Sequence, residues 1–370
     1  MKPNIIFILL DGARWDRLKI SQEFTELQNY GTIFDNVTAT VPYTFSAMNV
    51  IFTGLYPKEN GVDGYYKMFK LKKSVDFLPE ILAQNNYYTY FDTISSKTIS
   101  SRGFKKNEFL NEYEDDLELR HTSAIKNCFK ESNGQPIFCF FQFTNIHTAT
   151  VSEILKKFEW DDKAFYEKKT QNLKIYDTAF QKTGRYAKKI FESVKELGKL
   201  DNTIIIFFSD HGTGIGERFG ERTYGIFTFE ETIRTFYLFL GQKIIKNKFF
   251  SNLQSSVDIF PTILDLCGIK NNRELPGKNL TPILLGKNSS VPEHKYTFSE
   301  TGGLQGPFPS PKKHNVFCIK STKYKLIFYK DANEKLLFDL MNDPNEIKNL
   351  YGTGLEIEKE LEEKLLEYMK

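Results

Sequence analysis

Short apolar runs punctuate the chain at Asn4 to Leu10 (NIIFILL), Pro136 to Phe143 (PIFCFFQF) and Thr203 to Phe208 (TIIIFF). Runs of this length with few polar interruptions read as strands buried on both faces. Tyr87 to Phe91 and Thr232 to Leu240 fit the same pattern. Between them, apolar residues recur at helical spacing near Thr44 to Phe52, Phe77 to Gln84, Lys168 to Leu197 and Val257 to Leu266. The alternation predicts an α/β fold, with a central, mostly parallel sheet and helices on both faces. There is no internal repeat and no low-complexity tract.

The pattern changes after about Leu285. A polar, Gly- and Pro-rich stretch (SETGGLQGPFPSPKKH) leads into short strand-like runs, NVFCIK, YKLIFY and KLLFDL. The tail LEIEKELEEKLLEYMK has apolar residues at helical spacing among charges, which reads as an amphipathic helix packed on the body. The expected organisation is a catalytic domain over residues 1–285 and a C-terminal subdomain over 286–370, the latter a smaller antiparallel sheet closed by a helix.

Charge narrows the function classes. The 50 Lys and Arg against 47 Asp and Glu leave a formal charge of +3, spread along the chain, which argues against a nucleic-acid partner. The heavy load of 34 Phe and 19 Tyr reads as core and cleft wall. Cys128, Cys139, Cys267 and Cys318 are far apart with no CxxC pair, a pattern of reduced thiols that points to the cytoplasm. The apolar run IIFILL is too short for a signal-peptide core, and nothing approaches the ~18–20 apolar residues of a membrane span. A soluble cytoplasmic chain without an integral membrane segment is therefore expected; its oligomeric state is not legible.

Four residues end or begin buried elements, where an α/β sheet places its site. Asp11 follows the first strand in ILLDGARWD, Asp210 and His211 follow another in IIIFFSDHG, and Thr44 opens a helix in VPYTFSAMNVIFTGLYP. Singly, each has a plain structural reading: a turn residue, a loop histidine, a helix N-cap. Together, two carboxylates and an imidazole suit one divalent cation, Mn²⁺ first, with Zn²⁺, Mg²⁺ or Ca²⁺ as alternatives. Such a cation activates an alcohol that is otherwise a weak nucleophile. The helix start offers N–H groups to an oxyanion.

These segments resemble the sulfatase branch of the alkaline phosphatase superfamily over nearly the full length. The landmarks are NIIFILLDGARWDRL, TFSAMNVIFTGLYPKENGV, LDNTIIIFFSDHGTGIGE, FEETIR, SVDIFPTILDLCGI, LPGKNLTPILLG and YKLIFYKDANEKLLFDLMNDPNEIKNL, in the family's order. The resemblance implies that Asp11, Thr44, Asp210 and His211 hold the metal, that Thr44 is the nucleophile, and that His147 in FFQFTNIHTAT acts on the substrate side. It also departs from the family. The Cys converted to formylglycine is Thr44, followed by Ser46 and Met48 where Pro and Arg are expected. A GKWH-like segment is replaced by DTISSKT, and the Lys before the Arg of FEETIR is Gly225, with Arg222 nearby as its substitute. Gly12 replaces a second carboxylate, and Asp177 is followed by Gln181 where two-metal relatives have His, so one metal is expected.

Thr at the nucleophile position resembles phosphodiesterases and phosphoglycerol or phosphoethanolamine transferases. The leading expectation is a metal-dependent phosphoester hydrolase or phosphotransferase acting through a covalent Thr44 intermediate. Its substrate would be a small-molecule, lipid-linked or glycan-linked phosphodiester or phosphonate ester. His147 and Thr44 are the candidate catalytic pair, and Arg222 and His314 the candidate substrate contacts. His294 ranks lower, and His121 reads as surface. The alternatives are a sulfatase acting on sulfate esters without formylglycine, and an inactive member that binds glycan or lipid phosphate.

Overall fold

The computed structural model describes residues 2–62, 71–303, 306–307 and 314–370. Its main sheet contains β1 (Asn4–Leu10), β2 (Gly31–Thr38), β3 (Tyr88–Thr93), β4 (Lys106–Phe109), β5 (Ile137–Phe143), β6 (Thr203–Phe208), β7 (Arg234–Leu240), β8 (Lys248–Phe250) and β9 (Gln254–Ser255). The order is β4-β3-β5-β1-β6-β7-β2-β8, with β9 also paired to β2. β1 lies between β5 and β6, parallel to both. β7 runs antiparallel to β6 and β2. The sheet is mostly parallel, as the apolar runs predicted.

Two-residue alternation explains why β1 is apolar throughout. Ile6, Ile8 and Leu10 face one core, shared with Tyr176, Phe180 and Ile190 of the helix Lys169–Glu196. Ile5, Phe7 and Leu9 face the other, with Met48, Ile51 and Phe52 of the helix Thr44–Thr53 and Ile259 and Ile263 of the helix Ile259–Leu266. Phe7 stacks on Phe208 at 4.1 Å between centroids. With both faces covered, the strand must be apolar at every position, and each buried large side chain contributes ~1.5–3 kcal/mol.

β2 was not anticipated. Its sequence GTIFDNVT interrupts the apolar pattern with Asp35 and Asn36, and its register with β7 shifts between Phe34 and Val37. The bulge is supported by Arg234, whose Nε donates to the Asp35 carbonyl at 2.9 Å. At the other end a Cβ on Gly31 would stand 1.9 Å from the Phe239 carbonyl oxygen, so only glycine admits this approach.

The second sheet is antiparallel, in the order β10 (Thr297–Thr301), β11 (Val316–Lys320), β12 (Tyr324–Tyr329) and β13 (Glu334–Asp339). β10 lies partly within the stretch taken as a polar connector; residues 304, 305 and 308–313 of that stretch lie outside the described residues. The helix Glu356–Met369 buries Leu361 and Leu365 against Phe317, Ile319, Leu326 and Leu337, as its spacing predicted. The opposite face packs Val316, Cys318 and Ile327 on Phe227, Phe229 and Ile233 of the main body. Beside that contact, buried Lys325 pairs with Glu346 at 2.7 Å and Glu230 at 3.2 Å, and Lys320 with Glu230 at 2.7 Å. All four cysteines are free and buried. Among the described residues no helix is long and apolar enough to cross a membrane.

Candidate active site

Leu9 of β1 is paired with Phe208 of β6, so the two strands end at the same edge. Asp11 leaves β1 there, and Asp210 and His211 follow β6 after one residue. The helix Thr44–Thr53 brings Thr44 to the same point. Thr44 Oγ1 lies 3.3 Å from Asp11 Oδ1 and 3.2 Å from His211 Nε2. His211 Nε2 lies 3.4 Å from Asp210 Oδ2 and 3.8 Å from Asp11 Oδ1. The four residues named from the sequence are thus brought together.

Thr44 differs from the expected N-cap. Tyr43 occupies that position in extended conformation, without a side-chain cap bond, and Thr44 is the first helical residue. Its hydroxyl is therefore free of a capping duty and turns to the acids and the imidazole. The helix closes at Gly54, left-handed at φ 67°, whose N–H bonds the Val50 carbonyl.

The donor set fits a cation. His211 Nδ1 is 2.7 Å from the Gly212 carbonyl oxygen, so Nδ1 carries the proton and Nε2 presents a lone pair to the acids. Asp210 Oδ2 is buried without a hydrogen-bond partner. One ligand atom each from Asp11, Asp210 and His211 lies within 4.8 Å of the others. Three acceptors converge with only the Thr44 proton to share, an arrangement a divalent cation would relieve. The titration directions agree. Burial, then the charge of Asp210, raises Asp11. Burial pushes Asp210 up to about 6 and His211 down.

The centre opens into a cleft of about 430 Å³ whose walls include Tyr43, Gln142, His147 and Tyr224. Gln142 Nε2 donates to Asp11 Oδ2 at 2.7 Å. Glu112 Oε2 lies 2.9 Å from His147 Nδ1 and accepts from Thr148 Oγ1 at 2.8 Å. Burial lowers His147, but Asp11, Glu112 and Asp210 outweigh it and hold the imidazole at about 9. The Tyr224 ring sits 4.4 Å from that of His211. A larger hollow at Lys2, Asn85 and Asn202 gathers no such set of ligands.

Other sequence candidates sit apart. Arg222 is buried and donates to the carbonyls of Leu155 and Phe158, and it is not among the described lining residues of the cleft. His314 is not among the described lining residues of the cleft and meets its wall at Tyr43, with Nε2 2.9 Å from the phenol oxygen. His294 Nε2 pairs with Asp258 Oδ1 at 2.7 Å. His121 is not at the surface: it is fully buried, 2.7 Å from Tyr186 Oη through Nδ1, and burial pushes it down to about 3. Its neighbour Arg120 pairs with the same buried Asp92 from the helix edge, at 2.6 Å, while His121 Nε2 lies 3.8 Å from Asp92 Oδ2.

Gln142, Glu112, Tyr43 and Tyr224 were not singled out from the sequence. Gln142 left a signal, as the one strongly polar residue in PIFCFFQF. Glu112 sits in the polar run NEYEDD, where nothing distinguishes it from solvated acids.

Residues 3–269 match the family model described as Sulfatase, and residues 221–370 that described as N-sulphoglucosamine sulphohydrolase, C-terminal. The chain is 22% identical over 425 residues to the extracellular sulfatase SULF-1 homolog of Drosophila melanogaster, covering 93% of this chain and 37% of that protein. It is 23% identical over 412 residues to a Delta 4,5-hexuronate-2-O-sulfatase of Bacteroides thetaiotaomicron, covering 94% and 84%. Arylsulfatase K of Canis lupus familiaris is 29% identical over 205 residues, 54% of this chain and 38% of that protein. The chain thus spans well under half of two of these relatives. In fold it is similar to a 2-O GAG sulfatase, with TM-score 0.81, 19% identity and coverage of 100% and 92%. It is also similar to a phosphonate monoester hydrolase of Agrobacterium radiobacter, with TM-score 0.77, 18% identity and coverage of 99% and 95%.

Proposed function

This chain belongs to the sulfatase family, and from that premise we propose that it hydrolyses a singly charged ester at Thr44, with a sulfate ester on a saccharide as the substrate class. The observation that carries the reading is the convergence of Thr44 Oγ1, Asp11 Oδ1 and His211 Nε2 on one floor, at 3.3 and 3.2 Å from the hydroxyl. The family and the relatives that act on sulfate esters support the substrate class, which was the second choice from the sequence. One divalent cation, Mn²⁺ by preference, would be held by Asp11, Asp210, His211 and Thr44. When bound it supplies charge neutralisation and a lowered pKa for the alcohol.

Charge supports a monoanion. No Lys or Arg stands among the described residues lining the cleft. A divalent cation and a protonated His147 would balance Asp11, Asp210 and Glu112, so a bound monoanion adds one uncompensated charge where a phosphate monoester dianion adds two.

In the proposed step Thr44 Oγ1 bonds to sulfur as the bond to the bridging oxygen breaks. The hydroxyl proton passes to Asp11 Oδ1, and His147 gives its Nε2 proton to the departing alcohol. Water then attacks the sulfothreonine, returning a proton to His147 while Thr44 recovers its own from Asp11. Glu112 holds the His147 ring through Nδ1.

A second reading, attack on a phosphodiester or phosphonate ester, is favoured by Thr44 itself. Threonine cannot supply the aldehyde hydrate that suits sulfate cleavage, whereas a phosphothreonine is readily resolved by water or an acceptor alcohol. A panel of p-nitrophenyl sulfate, bis-p-nitrophenyl phosphate and a p-nitrophenyl phosphonate, each with Mn²⁺, Zn²⁺, Mg²⁺ and Ca²⁺, separates the two. Faster sulfate turnover supports the first reading, faster diester turnover the second, and none with any metal contradicts both.

A further inference from the structure

Tyr43 stands immediately before Thr44 in the chain and forms a wall of the cleft. Its hydroxyl lies 2.9 Å from His314 Nε2, and His314 Nδ1 lies 3.0 Å from Glu300 Oε1. The three residues are 1%, 5% and 6% exposed, so the chain of contacts is closed to bulk water. A carboxylate can only accept, so Nδ1 bears the proton that meets Glu300. His314 Nε2, on the far side of the ring, meets the Tyr43 hydroxyl.

The same stretch of the second sheet grips both aromatic walls. Glu300 N–H donates to the Thr40 carbonyl at 2.8 Å, three residues before Tyr43. Thr301 Oγ1 donates to the carbonyl of Gly225, the residue after Tyr224. Thr38 Oγ1 meets Thr297 Oγ1 at 2.8 Å at the start of β10. Burial, then the charge of Glu300, raises the phenol of Tyr368 in the C-terminal helix, so the carboxylate faces both that helix and the His314–Tyr43 pair. The cost in desolvation of the buried carboxylate and imidazole is offset only by what they bond.

We infer that Glu300 and His314 are positioning residues, which act through the Tyr43 hydroxyl to fix the direction in which the adjacent Thr44 presents Oγ1 to the bound ester. The second sheet thereby takes part in the reaction without touching the reacting atoms. The inference rests on the hydrolytic reading for its kinetic readout, and its core, the coupling of Glu300 to Tyr43, has a readout of its own.

The test compares Tyr43→Phe, Glu300→Gln and the double variant in the Mn²⁺-loaded full chain, on whichever p-nitrophenyl ester the wild type cleaves fastest. Misdirecting a nucleophile by about an ångström costs up to ~100-fold, so each single variant should lose roughly 10- to 100-fold in kcat with KM within about threefold. The double variant should be no slower than the worse single, because both changes cut one chain. Losses that multiply, or a Glu300→Gln kcat equal to wild type, overturn the inference. If the wild type cleaves no ester, the hydrolytic reading fails by itself. The coupling is then read from the p-nitrophenyl sulfate concentration that gives half the maximal rise in Tm. Equal, non-additive weakening in the variants upholds it, and unchanged or additive values overturn it.

Discussion

Gln142 Nε2 donates a 2.7 Å hydrogen bond to Asp11 Oδ2, reaching across from β5 to the end of β1. The bond is possible because β1 and β5 are paired with Leu9 beside Gln142 and Leu10 beside Phe143. Gln142 is itself held, since its Oε1 accepts from Thr93 Oγ1 and from the Ile94 N–H. One oxygen of Asp11 is thus committed to Gln142, and Oδ1 faces Thr44. Outer partners of this kind orient a metal ligand and typically carry 10–100-fold in affinity. Gln142→Ala should therefore weaken Mn²⁺ binding by roughly tenfold or more in calorimetric titration, with the fold intact. Unchanged affinity would show that Asp11 needs no such orientation.

The two buried carboxylates also make a prediction about the metal-free chain. Asp11 and Asp210 repel each other in a dry site, and Asp210 Oδ2 has no partner. Asp210→Asn should raise the Tm measured in chelator, because a buried negative charge is removed. The same variant should lose most of the Tm increase produced by Mn²⁺, which in wild type reflects a stabilisation of about 2.7 kcal/mol at a hundredfold excess over Kd. A variant less stable in chelator yet still protected by Mn²⁺ would place the cation elsewhere.

Glu221 predicts a pH dependence away from the metal ligands. Burial, with added repulsion from Glu231 and Glu217, pushes its carboxyl up to about 8 against the N–H groups of Phe227 and Ile226. Its Oε2 has no hydrogen-bond partner. A group raised in the fold contributes its full stability below its unfolded pKa and loses it as pH rises through the folded value. The window is therefore about pH 4.5 to 8, and by linkage the loss is on the order of 3–5 kcal/mol. Glu221→Gln should flatten the fall of Tm across that window relative to wild type. Parallel Tm–pH curves for the two proteins would contradict the assignment.

Lys325 joins the two sheets electrostatically, between Glu346 at 2.7 Å and Glu230 at 3.2 Å. Removing it leaves buried carboxylates uncompensated, which typically costs ~3–5 kcal/mol. Lys325→Met should lower the denaturant midpoint accordingly, and Lys320→Met by less, because Glu230 then keeps Lys325. A neutral Lys325→Met would mean the second sheet docks by its apolar face alone.

Much of this was legible in the chain because the central strands are apolar on both faces. NIIFILL, IFCFFQF and TIIIFF are β1, β5 and β6 nearly residue for residue, and the candidate site residues sit where they end. The long helix and the C-terminal amphipathic helix announced themselves by periodicity. β2 did not, because the bulge at Asp35 and Asn36 breaks the apolar run, and β10 did not, because TFSET satisfies its polar side chains through tertiary contacts such as Thr38 to Thr297. His121 was misjudged for a related reason: burial is set by the Asp92 and Tyr186 surroundings, not by its charged neighbours in sequence. Tyr43 and Glu112 meet partners 271 and 35 residues away, contacts that no local pattern reveals.

The most direct test of the central claim is the turnover of p-nitrophenyl sulfate and bis-p-nitrophenyl phosphate by wild type and Thr44→Ala, both loaded with Mn²⁺. Asp11, Asp210 and His211 remain in the variant, so its metal content should stay near wild type. Loss of an activated nucleophile should cut kcat by about three orders of magnitude or more. Wild-type turnover of either ester, with that loss in Thr44→Ala at comparable metal content, is the result expected. Turnover by Thr44→Ala within tenfold of wild type would contradict it.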